Sequence, residues 1–496
     1  MKAKPQLLFW LFSLGFFLLT RLINLKIIPI FTDEAIYTYW AQVALHDPAN
    51  RFISLEDGKQ PLFIWIAAIF QKFISDPLIA TRIVSVFAGF GSLVGIYLLS
   101  KVLFNAKVAK LSSFLYIVLP FTMLYDRMAL FDSLLTMFGI WTIFFSVKLA
   151  QDPKLDIAIL NGFTIGLGVI TKSSANFFLY FLPFSLAFFN FKAKNLKIKF
   201  FKWLSFATVA TFIAETIYNA LRLSPLFYII SRKNLEFIRS FSEVVADPFA
   251  NFYSNISSIV FWIAAYIGWP LVLLAAVGLI YGLFKRNLAV VYLSILIFVP
   301  VLAEAFFNKV LYPRFALFYF PYIIILISFA TVSFFANLPK YKKFFITLFV
   351  LFLITPALSS FRLLTAPTYA KIADSDAGQY LNDWPAGNGV SQIVEFIKTR
   401  PQDNNIYVGT EGTFGLLPYA LQIHFYGQEN IRLLGFWPVD ENNLPRQILD
   451  LAQKGKTYFV FNENQREIKN PHLKFLAKYQ KGKGTSFMRL YEVVPQ

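Results

Sequence analysis

The run PLFIWIAAIF, residues 61–70, decides how the rest of the chain is threaded. It is apolar throughout, yet it stops at Gln71 and Lys72, and a helix needs about 20 residues to cross a bilayer. Counted as a span, it reverses the side of every later loop. Counted as a helix lying in the interface, it leaves an inside N-terminus with Lys101, Lys107 and Lys110 in the cytoplasm. The same parity puts Lys192, Lys194, Lys197, Lys199 and Lys202 there, then Lys285 with Arg286, then Lys340, Lys342 and Lys343. Basic residues collect in short cytoplasmic loops, so the interfacial reading is the one selected.

Eleven other segments are expected to span: approximately 7–25, 78–100, 108–124, 131–149, 157–171, 174–191, 203–221, 257–284, 288–307, 315–336 and 344–361. The composition demands such a fold. Of 496 residues 57% are hydrophobic and 15% charged, with a mean hydropathy of +0.56, and a water-soluble domain cannot bury that much apolar surface. With no cysteine, disulfides, thiolate metal sites and cysteine nucleophiles are excluded. The net charge of +18 does not point to nucleic acid. Residues 370–496 carry 14 basic and 13 acidic side chains, so the excess lies in short loops between apolar runs.

The expected fold class is therefore an all-α polytopic membrane domain of about 11 transmembrane helices, residues 1–365, followed by a small α/β domain, residues 370–496. In the latter, NNIYVG (404–409) and KTYFVFN (456–462) read as strands; SQIVEFIK (391–398) and LPRQILDLAQK (444–454) read as amphipathic helices. The parity places loops 26–77, 125–130, 222–256 and 308–314 on the outer face with this domain. Nearly all acidic residues of the membrane part lie there too. The expected location is the cell membrane, N-terminus cytoplasmic and C-terminal domain extracytoplasmic.

The first outer loop holds FTDEAIYTYWAQ (31–42), with Asp33 and Glu34 beside the membrane. Adjacent helical residues point about 100° apart, so one carboxylate can face a site while the other caps the helix. Capping alone is the plainer account. The second outer loop, YDRMALFDS (125–133), places Arg127 and Asp132 at the mouth of a span, where each is costly unless paired or used; a simple interfacial ion pair would also satisfy them. Lys172 and Arg314 add cations to that face. Each alone reads as a snorkelling anchor, but together with Arg127 they can bind a phosphate. Glu215 and Glu304 lie toward span ends, the three histidines His46, His424 and His472 are scattered, and Asn255-Ile-Ser257 fits a glycosylation acceptor. Walker A, GxGxxG and GxSxG patterns are missing from the sequence.

A first span ending in Arg21, then FTDEAIYTYWAQ, DGKQPLFIW (57–65) and YDRMALFDSLL (125–135), resembles the GT-C glycosyltransferases, nearest the protein O-mannosyltransferases and the lipid A aminoarabinose transferases. TKSS (171–174) and YPRFALFYFP (312–321) extend the resemblance over most of residues 1–340. It implies an outward-facing site, a polyprenyl-phosphate sugar donor, catalysis at Asp33 and a place for Asp132 in the same site. Glu34 is carried with them as a catalytic candidate, and Lys59 with Arg127, Lys172 and Arg314 as substrate-binding candidates. Where the family often has Glu-Lys-Pro-Pro-Leu, this chain has Gly58-Lys59-Gln60-Pro61-Leu62, so the acidic residue before Lys59 is missing, although Glu56 and Asp57 are close. A divalent metal ion stays open as a cofactor, with no ligand assigned.

The chemistry suits these residue types. Sugar transfer needs a base for the acceptor hydroxyl and cations for the departing phosphate. Asp33 is the expected base and Asp132 lies near the acceptor or a bound cation. Arg127, Lys172 and Arg314 neutralise the leaving group, and a single base without a nucleophile implies inversion. The acceptor, whether protein, lipid or glycan, is not legible. A lipid-sugar flippase would show repeated interrupted helices with midplane polar groups, which this sequence lacks; a non-catalytic glycolipid-binding protein would keep lipid binding without Asp33.

Overall fold

The computed structural model describes residues 3–337, 339–401, 405–440, 442–463 and 468–495. Helix α1 (Ala3–Leu22) leads to α2 (Thr32–His46) and then to α3 (Leu62–Gln71). At a rise of 1.5 Å per residue α3 covers about 15 Å, half of a hydrocarbon core. It packs between α2 and α4 (Pro77–Leu103).

The expected run 108–124 is two helices, α5 (Ala106–Val118) and α6 (Pro120–Tyr125), because Pro120 has no N–H to continue the ladder and Leu119 before it is extended. Next come α7 (Phe131–Gln151), α8 (Leu155–Val169) and α9 (Asn176–Phe181), the last followed by a 3₁₀ stretch, Pro183–Phe188. Helix α10 (Leu196–Asn219) precedes a long loop that carries α11 (Ile229–Phe237) and α12 (Phe241–Ala246). The segment expected as one span at 257–284 is α13 (Phe252–Ile267) and α14 (Trp269–Phe284), bent by 113°. Gly268 supplies the break with φ +81°, a conformation that side chains rarely adopt. Helices α15 (Leu288–Phe307), α16 (Phe320–Asn337) and α17 (Lys342–Thr365) complete the membrane part.

Among the described residues, six helical stretches are long and apolar enough to cross a membrane, or seven if the bent pair is one span. The expected eleven are not reached on that measure. Gln6–Leu22, Leu155–Val169 and Ser173–Phe188 are apolar and helical but short, and 108–124 is divided by its proline.

Beyond α17, the one-turn α18 (Asp374–Ala377) and α19 (Val390–Lys398) lead into alternating strands and helices: β1 (Ile406–Glu411), α20 (Leu416–Gln422), β2 (Ile431–Phe436), α21 (Arg446–Ala452), β3 (Lys456–Glu463), β4 (Leu473–Gln480) and β5 (Phe487–Val493). The sheet order is β2-β1-β3-β5-β4. β1 is parallel to β2 and β3, while β5 is antiparallel to β3 and β4. The strands and helices expected at 404–409, 456–462, 391–398 and 444–454 are present, Asn404 lying outside the described residues. Period-two alternation sends Val408 and Val460 to one core, with Ile393 and Leu421, and Phe459 and Phe461 to another, with Ile448 and Tyr491.

This sheet domain grips the first loop. Thr32 N–H donates to Pro385 O at 3.1 Å, Phe31 bridges to Ala386, and Gln42 donates to Ile423 O at 2.9 Å. Tyr39 stacks on Tyr419 with ring centroids 4.5 Å apart.

Candidate active site

Helix α2 begins at the N-cap Phe31, which has extended backbone and no side-chain cap. The capping role falls to Glu34, at the third helical position, whose Oε2 accepts the Phe31 N–H at 3.0 Å. The same carboxylate takes Arg82 in a fork, at 2.8 Å on Oε1 and 2.7 Å on Oε2, and the Ala129 N–H at 2.6 Å. Glu34 is wholly buried. Of the two adjacent carboxylates, Glu34 is thus the cap and Asp33 is not, and the Glu34 oxygens are committed away from the site where the sequence placed it.

Asp33 points the other way, about 100° round the helix. Its Oδ2 meets Arg314 Nη1 at 2.8 Å, with 24% of the Asp33 side chain and 12% of the Arg314 side chain exposed. Arg314 is set by the 3₁₀ turn Pro313–Phe318, with its guanidinium over Phe31, Tyr312 and Phe315. Phe315 is shared: Lys172 Nζ stands 4.3 Å from its ring centroid. Lys172, just past the end of α8, pairs with Asp132 Oδ1, in the first turn of α7, at 2.7 Å. Four of the expected residues therefore form two ion pairs around one aromatic ring.

Lys59 joins them electrostatically. Burial depresses its ammonium pKa, and Asp33 and Asp57 oppose that shift, while Arg314 and Lys172 add to it. Its Nζ lies 4.9 Å from the Phe237 ring of α11. Gly58 before it has φ +65°, and a Cβ there would stand 2.5 Å from Lys233 Cβ and 2.9 Å from Ile229 O. A side chain at position 58 would thus collide with α11.

Arg127 does not join the cluster. It is buried and donates to the carbonyls of Thr20 and Arg21 at 3.0 Å and of Asn24 at 2.8 Å, closing the C-terminal end of α1. Asn255 likewise donates to Glu304, Ala305 and Asn308 carbonyls from within α13, which leaves its amide committed. Glu304 accepts the Tyr319 hydroxyl at 2.9 Å, and Glu215 is exposed on α10. His46 and His472 bond backbone carbonyls.

A metal centre does not fit these residues. Among the described residues no three His, Cys, Asp or Glu side chains converge. Asp33, Asp132 and Asp57 each have a cation partner, Arg314, Lys172 and Lys233. Charge in this site is balanced by lysine and arginine.

Residues 58–218 match the family described as dolichyl-phosphate-mannose-protein mannosyltransferase. Among solved structures, ArnT from Cupriavidus metallidurans is similar over the full length of both chains, at 13% identity and TM-score 0.58 in the apo state. The same protein bound to undecaprenyl phosphate gives 12% and 0.56. The oligosaccharyltransferase AglB from Archaeoglobus fulgidus, in complex with an inhibitory peptide and a dolichol-phosphate, is similar over 91% of this chain and 69% of its own, at 12% identity and TM-score 0.51. No curated protein sequence matches. At such identities the likeness shows the fold alone, which this chain shares with these structures.

Proposed function

We propose that this chain is a membrane glycosyltransferase that moves a sugar from a polyprenyl-phosphate donor to an acceptor hydroxyl at the outer face of the membrane. The observation that carries the reading is the pairing of Asp33 with Arg314 beside Asp132 with Lys172. Arg314, Asp33 and Lys172 are partly exposed, so Arg314 can exchange its carboxylate for a phosphate oxygen and Lys172 can add a contact to it while still paired with Asp132. The fold and the match over residues 58–218 support it.

The donor phosphate takes Arg314, and Asp33 is released as an unpaired carboxylate next to the acceptor. Asp33 accepts the proton of the acceptor hydroxyl as its oxygen attacks the anomeric carbon. The bond from that carbon to the phosphate oxygen breaks, and Arg314, Lys172 and Lys59 receive the charge that develops on the departing polyprenyl phosphate. One displacement inverts the anomeric centre. Asp132 holds Lys172 in place. Donor, acceptor and proton balance without a further reactant.

The test is transfer of labelled sugar by purified protein. Asp33→Asn is expected to lose about 10² to 10⁴ in rate while folding normally; near wild-type turnover would remove Asp33 as the base. The outer location rests on the charge distribution between spans. Single cysteines in this cysteine-free chain check it: with an impermeant reagent on intact cells, a label is expected at Ser242→Cys, exposed on α12, and not at Asn195→Cys, before α10. The opposite pattern would invert the topology.

A further inference from the structure

The link between α17 and α19 carries a carboxyl that the proposed transfer does not use. Asp376, on α18, is wholly buried. Its Oδ2 accepts the hydroxyl of Tyr125, at the end of α6, at 2.5 Å, and also that of Tyr266 on α13. Its Oδ1 is buried with no hydrogen-bond partner among the described residues. Tyr380, further along the same link, sets its ring 6.2 Å from Tyr125 and 4.9 Å edge-on to Phe31. Its hydroxyl is also buried, with no hydrogen-bond partner among the described residues. Beyond it, Pro385 and Ala386 bond to Thr32 and Phe31. The link thus lies across the start of α2, where Asp33 sits.

The groups that act on Asp376 come from every neighbouring element: Tyr125 from α6, Tyr266 from α13, Tyr380 from the link itself, Arg314 from its 3₁₀ turn and Asp132 from α7. Burial is the largest influence and opposes the charged form. The two tyrosine hydrogen bonds and Arg314 act against it, Asp132 with it, and the carboxyl is pushed up to about 7. The Phe31 ring meets both Tyr380 and the Arg314 guanidinium, so the buried carboxyl held by Tyr125 and Tyr266 stands in the surroundings of the arginine assigned to the donor.

We propose that Asp376 is a positioning residue for the donor: neutral, it leaves Arg314 to Asp33 and the phosphate; ionised, it places a second carboxylate in Arg314's surroundings and weakens donor binding. The proposal rests on the reading of Arg314 as a donor ligand. A polyprenyl-phosphate sugar is a phosphodiester and does not itself titrate near neutral pH, so a pH dependence of its binding reports on the protein.

Donor affinity of the purified full chain, measured for an intact polyprenyl-phosphate sugar from about pH 6 to 8.5, is expected to fall several-fold as pH rises. Asp376→Asn keeps an oxygen for the tyrosine hydroxyls and is expected to hold the low-pH affinity across that range. Tyr266→Phe removes a hydrogen bond that favours the charged form, so the midpoint should move to higher pH. An infrared band of a protonated carboxyl, present at low pH and lost in Asp376→Asn, should titrate in parallel without any donor. Donor binding that ignores pH, an Asp376→Asn protein with the wild-type pH dependence, or a carboxylate at 376 throughout overturns the proposal while leaving the transfer reading intact. No donor binding by either protein at any pH overturns both.

Discussion

Glu34 with Arg82 and Asp33 with Arg314 are carboxylate–arginine pairs built from neighbouring residues of one helix, and they are built to opposite ends. Glu34 and Arg82 are fully buried, and the remaining Arg82 donors go to the carbonyls of Leu25, Ile28 and Pro29. Arg21 with Asp126 is of the same kind, with Tyr116 and Ser133 hydroxyls on the other carboxylate oxygen. Such pairs are saturated: to exchange a partner, one must leave a buried charge alone. Asp33 and Arg314 share one ion-pair contact and stay partly exposed, and a ligand can separate them by exchanging that single contact. An ionised pair near a membrane boundary is therefore a candidate for chemistry only where it is left incomplete.

The largest effect that sharpens this contrast is the loss of transfer in Asp33→Asn, set against a much smaller loss in Glu34→Gln. Next comes Arg82→Ala, which strands the Glu34 carboxylate and should cost about 3 to 5 kcal/mol of stability, read as a lowered unfolding midpoint in detergent. Donor KM of the folded fraction should stay unchanged. If Arg82→Ala melts normally and instead loses donor affinity, the saturated pair belongs to the site and the distinction fails.

The sequence showed much of the cluster because those residues stand at the ends of apolar runs, where a charge is conspicuous. Asp33, Asp132, Lys172 and Arg314 were legible this way, and so was the short Leu62–Gln71 helix. Arg82 and Asp126 were not, because a saturated internal partner is defined by tertiary contact and leaves no local pattern. Asp376 was hidden for another reason: it follows the last apolar run among ordinary polar residues, and only the docking of the link onto Tyr125 and Tyr266 gives it meaning. Hydropathy ran on through Pro120, which divides 108–124, and through Gly268, which bends 257–284, because neither residue lowers the average. β2, β4 and β5 went unread: β2 is only partly buried for most of its length and β4 carries exposed residues through its middle, so neither presents a clean apolar face.

Arg127 is the smallest and most discriminating case, since its residue type and position suit a phosphate while its contacts suit a brace. Its guanidinium spans three carbonyls at the end of α1, a geometry that a lysine ammonium on a flexible stem cannot reproduce. Arg127→Lys should retain part of that network and lose about 1 to 2 kcal/mol of stability, a modest drop in the unfolding midpoint. Because Arg314, Lys172 and Lys59 are the cations of the cluster, donor KM and turnover should remain within about twofold of wild type, less than 0.5 kcal/mol in transition-state terms. A brace and a ligand then separate on one pair of measurements. Lower stability with unchanged KM assigns Arg127 to the frame that holds the second outer loop against α1. Unchanged stability with a raised donor KM would return it to the phosphate, and the saturated arginines would have to be counted as part of the donor site after all.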